Sequence, residues 1–212
     1  MTDTLEPTLI SRAQGCLLGL AAGNALGLPY EDVWPAAEIF QRSKGLVREI
    51  DPSEKGKPWD DDTAQAVVVG EALTEFGRMN LRDLGARLVA WRNANGRGIP
   101  TLVDRVLDEI EGEVPAEEAS EDAFQRLGRN WSANNAAVVR AIPIAIKFCQ
   151  DPHRIAAETT ISAKITHWNP LCVGSAIALN LAIATILRDE PLHLDALAEE
   201  VRGHGMPESV CD

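Results

Sequence analysis

"NPLCVGSAIALNLAIATILRD", residues 169–189, decides the fold class. It opens on Asn-Pro, a pair suited to a helix start. The Asn side chain can cap free backbone N–H groups, and proline's fixed φ fits the first turn. The apolar run inside it, residues 174–187, falls short of the roughly 18 residues a membrane span needs, so it reads as a buried core helix.

Working outward, the helical period continues. "DPHRIAAETTISAKI" (151–165) opens on Asp-Pro, another start signature, and "NNAAVVRAIPIAIKFC" (134–149) is an apolar helix interrupted by Pro143. "PTLVDRVLDEIEG" (100–112) is amphipathic, and "MNLRDLGARLVAWRNA" (79–94) has Asn80 as candidate N-cap. A helix from about Asp61 to Phe76 would bury Ala66, Val67, Val69, Gly70 and Leu73. "SRAQGCLLGLAAGNALG" (11–27) carries Gly15, Gly19, Ala22 and Gly23, small enough to admit a second backbone, and stops at Gly27 and Pro29. "HLDALAEEVRGHG" (193–205) is short and amphipathic. Three stretches read as non-helical: the long loop 28–58 with one short helix, the acidic connection "GEVPAEEASED" (112–122), and the terminal "MPESVCD". No strand alternation persists. The expectation is an all-α chain with one contiguous core, a single domain over residues 1–212.

Charge narrows the partners. With 32 acidic against 20 basic residues the net charge is −12, which argues against a nucleic-acid footprint or an anionic membrane surface. A bound cation would still let such a protein hold an anionic small ligand. Cys16, Cys149, Cys172 and Cys211 lack zinc-ligand or redox spacing; Cys16 and Cys172 read as small core residues. Reduced thiols and an acidic N-terminus without a basic leader point to the cytoplasm.

Three polar clusters interrupt the apolar helices. In "WDDDT", Asp60, Asp61 and Asp62 stand together at a helix start. One Asp suffices as a cap, so the residues leave two readings open: a solvated helix start, or oxygen ligands for a hard cation. "GNALGLPYE" taken alone is a glycine-terminated helix followed by Glu31. In "RNWSANNAAVVRAIP" (129–143), Ser132, Asn134 and Asn135 precede a helix, either as a plain cap or as a phosphate-holding turn. "THWNP" (166–170) adds His167, structural or functional. Trp59, Trp131 and Trp168 adjoin these clusters, placed either to anchor loops or to face a purine or ribose.

Five stretches, taken in order, resemble the ADP-ribosylglycohydrolase family, the dinitrogenase-reductase-activating glycohydrolase and crystallin J1 type. They are "GNALGLPYE" for G-D-A-L-G plus an acid, "WDDDT" for W-T/S-D-D-T, "GRGIPT" for a G-I-G-x-T-like turn, "SANNAAVVRAIP" for S-x-G-N-G-x-x-M-R-x-x-P, and "SAKITHWNP" for S-x-x-T-H-x-x-P. The resemblance implies an all-α orthogonal helical bundle with a two-metal Mg²⁺ or Mn²⁺ site. It implies hydrolysis of the bond between ADP-ribose and a protein side chain or related conjugate. By position it makes Glu31, Asp60, Asp61 and Asp62 metal ligands, with Glu31, Asp61 and Asp62 also catalytic, and Ser132, Asn134, Asn135 and His167 substrate-binding.

Departures accompany it. A later G-G-D-T-D-T motif, which supplies further ligands in the family, has no counterpart after residue 188, so the chain reads as the N-terminal two-thirds of the family domain. Asn24 stands where the family has Asp, Asp60 where it has a hydroxyl, and Asn134 and Ala136 where it has glycines. The alternative expectation is therefore a catalytically impaired relative that binds ADP-ribose-like ligands or acts as an interaction module.

Overall fold

A computed structural model describes residues 7–31, 35–43 and 59–211. Among these residues there are helices and no strand, so the chain is all-α as expected. In chain order the helices are α1 (Pro7–Gly27), α2 (Ala36–Ser43), α3 (Asp61–Phe76), α4 (Leu81–Asn95), α5 (Thr101–Glu111), α6 (Ala116–Trp131), α7 (Ala136–Val139), α8 (Ile142–Lys147), α9 (Pro152–Lys164), α10 (Pro170–Leu187), α11 (Leu194–Gly203) and α12 (Glu208–Cys211). A single 3₁₀ turn, Leu28–Tyr30, follows α1.

The helix starts obey their caps. Asn80 accepts from the N–H of Asp83, Asp151 from that of Arg154, and Asn169 from that of Leu171. α10 is the centre. It buries Cys172, Val173, Ala176, Ile177, Leu181, Ala184 and Leu187, and packs on α7, α8, α9 and α11. Its one polar core residue, Asn180, donates to the Ala141 carbonyl and the Thr159 hydroxyl, at 3.0 and 2.8 Å. α3 lies against α8, α4 and α7, which brings its N-terminal carboxylates to the end of the core.

Five expectations need correction. The acidic connection 112–122 largely belongs to α6, whose Ala119 and Ala123 are buried against Leu102 and Val106 of α5. Acidic residues fill the opposite face, so the charge density masked a 3.6-residue stripe. The apolar stretch 134–149 forms two short helices, α7 and α8, with Pro143 in the first turn of the second. The terminal residues form α12, and Val210 and Met206 pack on the core beside Gly174, where an added Cβ would stand 3.0 Å from Val210 Cγ2. Val67 is exposed and Gly70 only half-buried, whereas Val68, Ala72 and the polar Gln65 are inside. Finally, no described atom approaches within 4 Å of a Cβ built at Gly15, Gly19 or Gly23, so among the described residues no second backbone lies against that face of α1. Most of the expected loop, 32–34 and 44–58, and the acidic start 1–6 lie outside the described residues.

Candidate functional site

Asp61 and Asp62 occupy the first turn of α3, and Asp60 is its N-cap residue. Asp60 and Asp61 are buried at 4 % and 5 % exposure. That is an unusual place for two adjacent carboxylates, and each is held differently. Asp60 is tied to α1: Asn24 Nδ2 donates to its Oδ1 at 2.7 Å, and its own N–H donates to Asn24 Oδ1 at 3.0 Å. The Thr63 hydroxyl donates to that same Asn24 oxygen at 3.0 Å. Asp61 Oδ2 accepts from Gln65 Nε2 at 2.9 Å.

The turn "GRGIPT" closes over both. Gly98 sits at φ +71°, and a Cβ there would stand 2.5 Å from Asp60 Oδ2 and 3.1 Å from Asp61 Oδ1. Only glycine serves at this point, on backbone and on steric grounds alike.

Burial, then the charges of Asp62, Asp60 and Glu31, push the Asp61 carboxyl up to about 8. Asp62 is raised by burial and by Asp60. Glu31, exposed beyond the 3₁₀ turn, lines with Asp62, Asn24, Tyr30 and Val139 a cavity of about 360 Å³. Four carboxylates thus repel one another around the start of α3 and the end of α1. The donor set suits a hard divalent cation, which prefers carboxylate oxygen and would relieve the repulsion. Among the described residues, however, no group of three or more His, Cys, Asp or Glu side chains gathers closely enough to hold an ion. The fit is one of chemistry, with part of a ligand set present.

The second half of the site surrounds α7. Ser132 is buried, donates to the Gly128 carbonyl at 2.7 Å and accepts from Asn169 Nδ2 at 3.3 Å. Asn134 Oδ1 accepts from the N–H of Ala136 at 2.9 Å and bonds His167 Nε2 at 2.8 Å. Since that oxygen can only accept, Nε2 carries the proton and Nδ1 accepts from the Thr166 hydroxyl at 2.8 Å. Burial, helped by the Arg140 charge, depresses the His167 imidazole to about 3, so it is neutral. With both nitrogens engaged, His167 positions Asn134. Asn135 is exposed at the start of α7. Val139, at the end of α7, lines the same cavity as Asp62 and Glu31, whereas Ser132, Asn134, Asn135, His167, Asp60 and Asp61 are not among its lining residues.

Trp131 beside this loop is 81 % exposed, whereas the ring of Trp168 is covered by the Lys164 ammonium at 4.1 Å. Trp59 lines a separate groove with Val67 and Trp91.

Sequence reading missed two members of this region. Gln65 and Arg140 are both fully buried, and Arg140 Nη1 donates to Gln65 Oε1 at 3.0 Å. Their signal was a lone polar residue inside an apolar helical run, in "AQAVVVG" and in "AVVRAIP".

The family model described as ADP-ribosylglycohydrolase matches residues 5–211. The ADP-ribosyl-[dinitrogen reductase] glycohydrolase of Rhodospirillum rubrum is 26% identical, over 82% of this chain and 57% of its own length. The ADP-ribosylarginine hydrolase Tri1 of Serratia proteamaculans is 25% identical, over 80% of this chain and 46% of its own. The chain thus spans about half the length of the curated relatives it matches. A solved structure titled "ADP-ribosylglycohydrolase-related protein complex" superimposes with a TM-score of 0.68 over 96% of this chain and 65% of that one, a likeness of fold at 23% identity.

Proposed function

The chain belongs to the ADP-ribosylglycohydrolase family, and from that premise we propose that its site serves metal-dependent hydrolysis of the glycosidic bond between ADP-ribose and a protein side chain or related conjugate. The observation that carries this reading is the group of repelling carboxylates around the start of α3, of which Glu31 and Asp62 line a cavity together with Val139 of α7. Asp61, Asp62 and Glu31 would each contribute to a ligand set for Mg²⁺ or Mn²⁺ of which these residues are only part, while Asp60 Oδ1 is engaged by Asn24. When bound, such a cation supplies charge neutralisation and polarises sugar hydroxyl oxygens. Asn135 and the loop fixed by Asn134, Ser132 and His167 would orient the phosphate and ribose part of the substrate. Glu31, exposed at the mouth, is placed to protonate the departing group or to take a proton from water. An oxocarbenium-like transition state would gain from the surrounding negative charge.

The test is release of ADP-ribose from arginine- and serine-modified peptides in the presence of Mn²⁺ or Mg²⁺. Wild-type chain should turn over, and Asp61→Asn should lower the rate by about a hundredfold or more. No release from any conjugate at saturating metal overturns the reading.

One observation favours a second reading: the described residues do not gather three metal donors. A chain that binds ADP-ribose-like ligands without turnover would satisfy it. Calorimetry with free ADP-ribose distinguishes the two, since binding without hydrolysis selects the second.

A further inference from the structure

Arg140 is a guanidinium with no exposure to solvent. Its partners are all uncharged: Gln65 Oε1 at 3.0 Å, the Ser162 carbonyl at 2.8 Å and the Ala163 carbonyl at 3.3 Å. Its Nε has no partner among the described residues. Burying a cation this way is costly, and a well-packed apolar residue often stabilises a fold as well or better. What the charge does is therefore visible in what it constrains.

A guanidinium only donates, so it determines which end of the Gln65 amide faces it. The amide oxygen turns to Arg140, and the NH₂ is left facing Asp61 Oδ2 at 2.9 Å. Flipping that amide would set its NH₂ against the guanidinium at any pH, and its oxygen against Asp61 Oδ2 whenever that carboxyl is ionised, as it is with a cation bound. Gln65 is also fully buried and sits one turn beyond Asp61 on α3, so water offers no alternative partner.

We propose that Arg140 and Gln65 form a positioning relay behind Asp61, which holds Oδ2 of that carboxylate on the protein and leaves Oδ1 as its one oxygen for a divalent cation. This rests on the reading of Asp61 as a cation ligand given above. The relay also reaches the other half of the site. The Ala163 carbonyl that accepts from Arg140 accepts from the N–H of His167 at 2.9 Å. One buried cation thereby sets both the carboxylate and the turn that carries His167 and steadies Asn134. Neither residue touches the cavity, so both act through others.

The experiment is Mn²⁺ binding to the 212-residue chain by calorimetry, run beside the turnover assay. Gln65→Met keeps side-chain length and helix preference but removes both hydrogen bonds; it should weaken Mn²⁺ binding by about tenfold, the usual effect of losing a group that orients a metal ligand. Arg140→Met should do the same, while Arg140→Lys, which also only donates, should stay within about threefold of wild type. A merely structural Arg140 would lower the melting temperature in both Arg140 variants and leave the Mn²⁺ affinity of the folded protein alone. Unchanged or tighter binding in Gln65→Met overturns the relay, as does a wild-type chain that binds no Mn²⁺. Turnover with unaltered affinity in Gln65→Met leaves the hydrolase reading standing and removes the relay. Weakened Mn²⁺ binding in a chain without turnover does the reverse.

Discussion

At the scale of single residues, two departures from the family pattern turn out to be one exchange. Where the pattern has an acid at position 24 and a hydroxyl at 60, this chain has Asn24 and Asp60, and the Asn24 amide donates to the Asp60 carboxylate. An acid at both positions would put two carboxylates at hydrogen-bond distance, where they would have to share a proton. Asn24 keeps its acceptor side for the Asp60 N–H and the Thr63 hydroxyl, so the junction of α1 and α3 survives the exchange. His167 offers the sharper residue-scale test. Its imidazole sits at about 3 in the folded chain and near 6.5 when unfolded. Between those values the unfolded state binds a proton that the native state refuses, so this residue's contribution to stability is complete above about pH 6.5 and is lost as pH falls toward 3. Asp61 works in the opposite sense: it holds its proton up to about 8 when folded, so its contribution declines as pH rises. Wild-type stability alone would mix the two. The difference between wild type and His167→Gln isolates the histidine. Urea unfolding at a series of pH values should show that difference shrinking by up to about 1.4 kcal/mol per unit as pH drops from 6.5 to 4.5. A difference that does not change with pH would mean that His167 accepts a proton equally in both states.

Among the elements, α4, α9 and α10 were legible from sequence because their start is written in a side chain, and α3 and α5, which lack a side-chain cap, because their apolar residues recur at helical spacing. Asn80, Asp151 and Asn169 each cap a helix with a hydrogen bond, and α3, α4, α5, α9 and α10 begin within two residues of where the sequence places them. α6 was hidden because the acidic residues of its first turns dominate the local composition. The carboxylate half of the candidate site was visible because three adjacent aspartates exceed what a cap needs. The Gln65–Arg140 connection was not, because it joins helices 75 positions apart and no local pattern encodes that contact. The break inside α6 belongs with these. Gly128 has φ 72° and ψ 175°, a conformation open in practice to glycine alone, and it turns the last residues so that both N–H and hydroxyl of Ser132 bond the Gly128 carbonyl. No described atom lies within 4 Å of a Cβ built there, so Gly128→Ala tests backbone strain without a clash. It should cost about 1–3 kcal/mol in chemical denaturation. If the cost is near zero, the chain reaches Ser132 by a different path.

For the whole molecule, the net charge of −12 and the carboxylate cluster make different predictions about salt. Self-repulsion spread over the surface is relieved by any electrolyte, and by divalent ions merely as part of the ionic strength. A cluster built around the starts of α3 and the mouth is relieved by a bound cation, through mass action on the native state alone. At about a hundred times the dissociation constant that linkage amounts to about 2.7 kcal/mol, which for a chain of this size raises the melting temperature by roughly 5–10 °C. The comparison has to be made at matched ionic strength, with NaCl replacing MnCl₂ in the control. Wild-type chain should then melt higher in Mn²⁺ than in the NaCl control, and the increment should vanish on addition of a chelator. Asp61→Asn removes one of the repelling carboxylates and so should melt higher than wild type without metal, yet gain little from Mn²⁺. That crossing of the two curves is specific to a cation held at Asp61. Equal increments in both proteins would place the divalent effect on the diffuse surface charge, and Asp61 would then be a buried acid that keeps its proton instead of a cation.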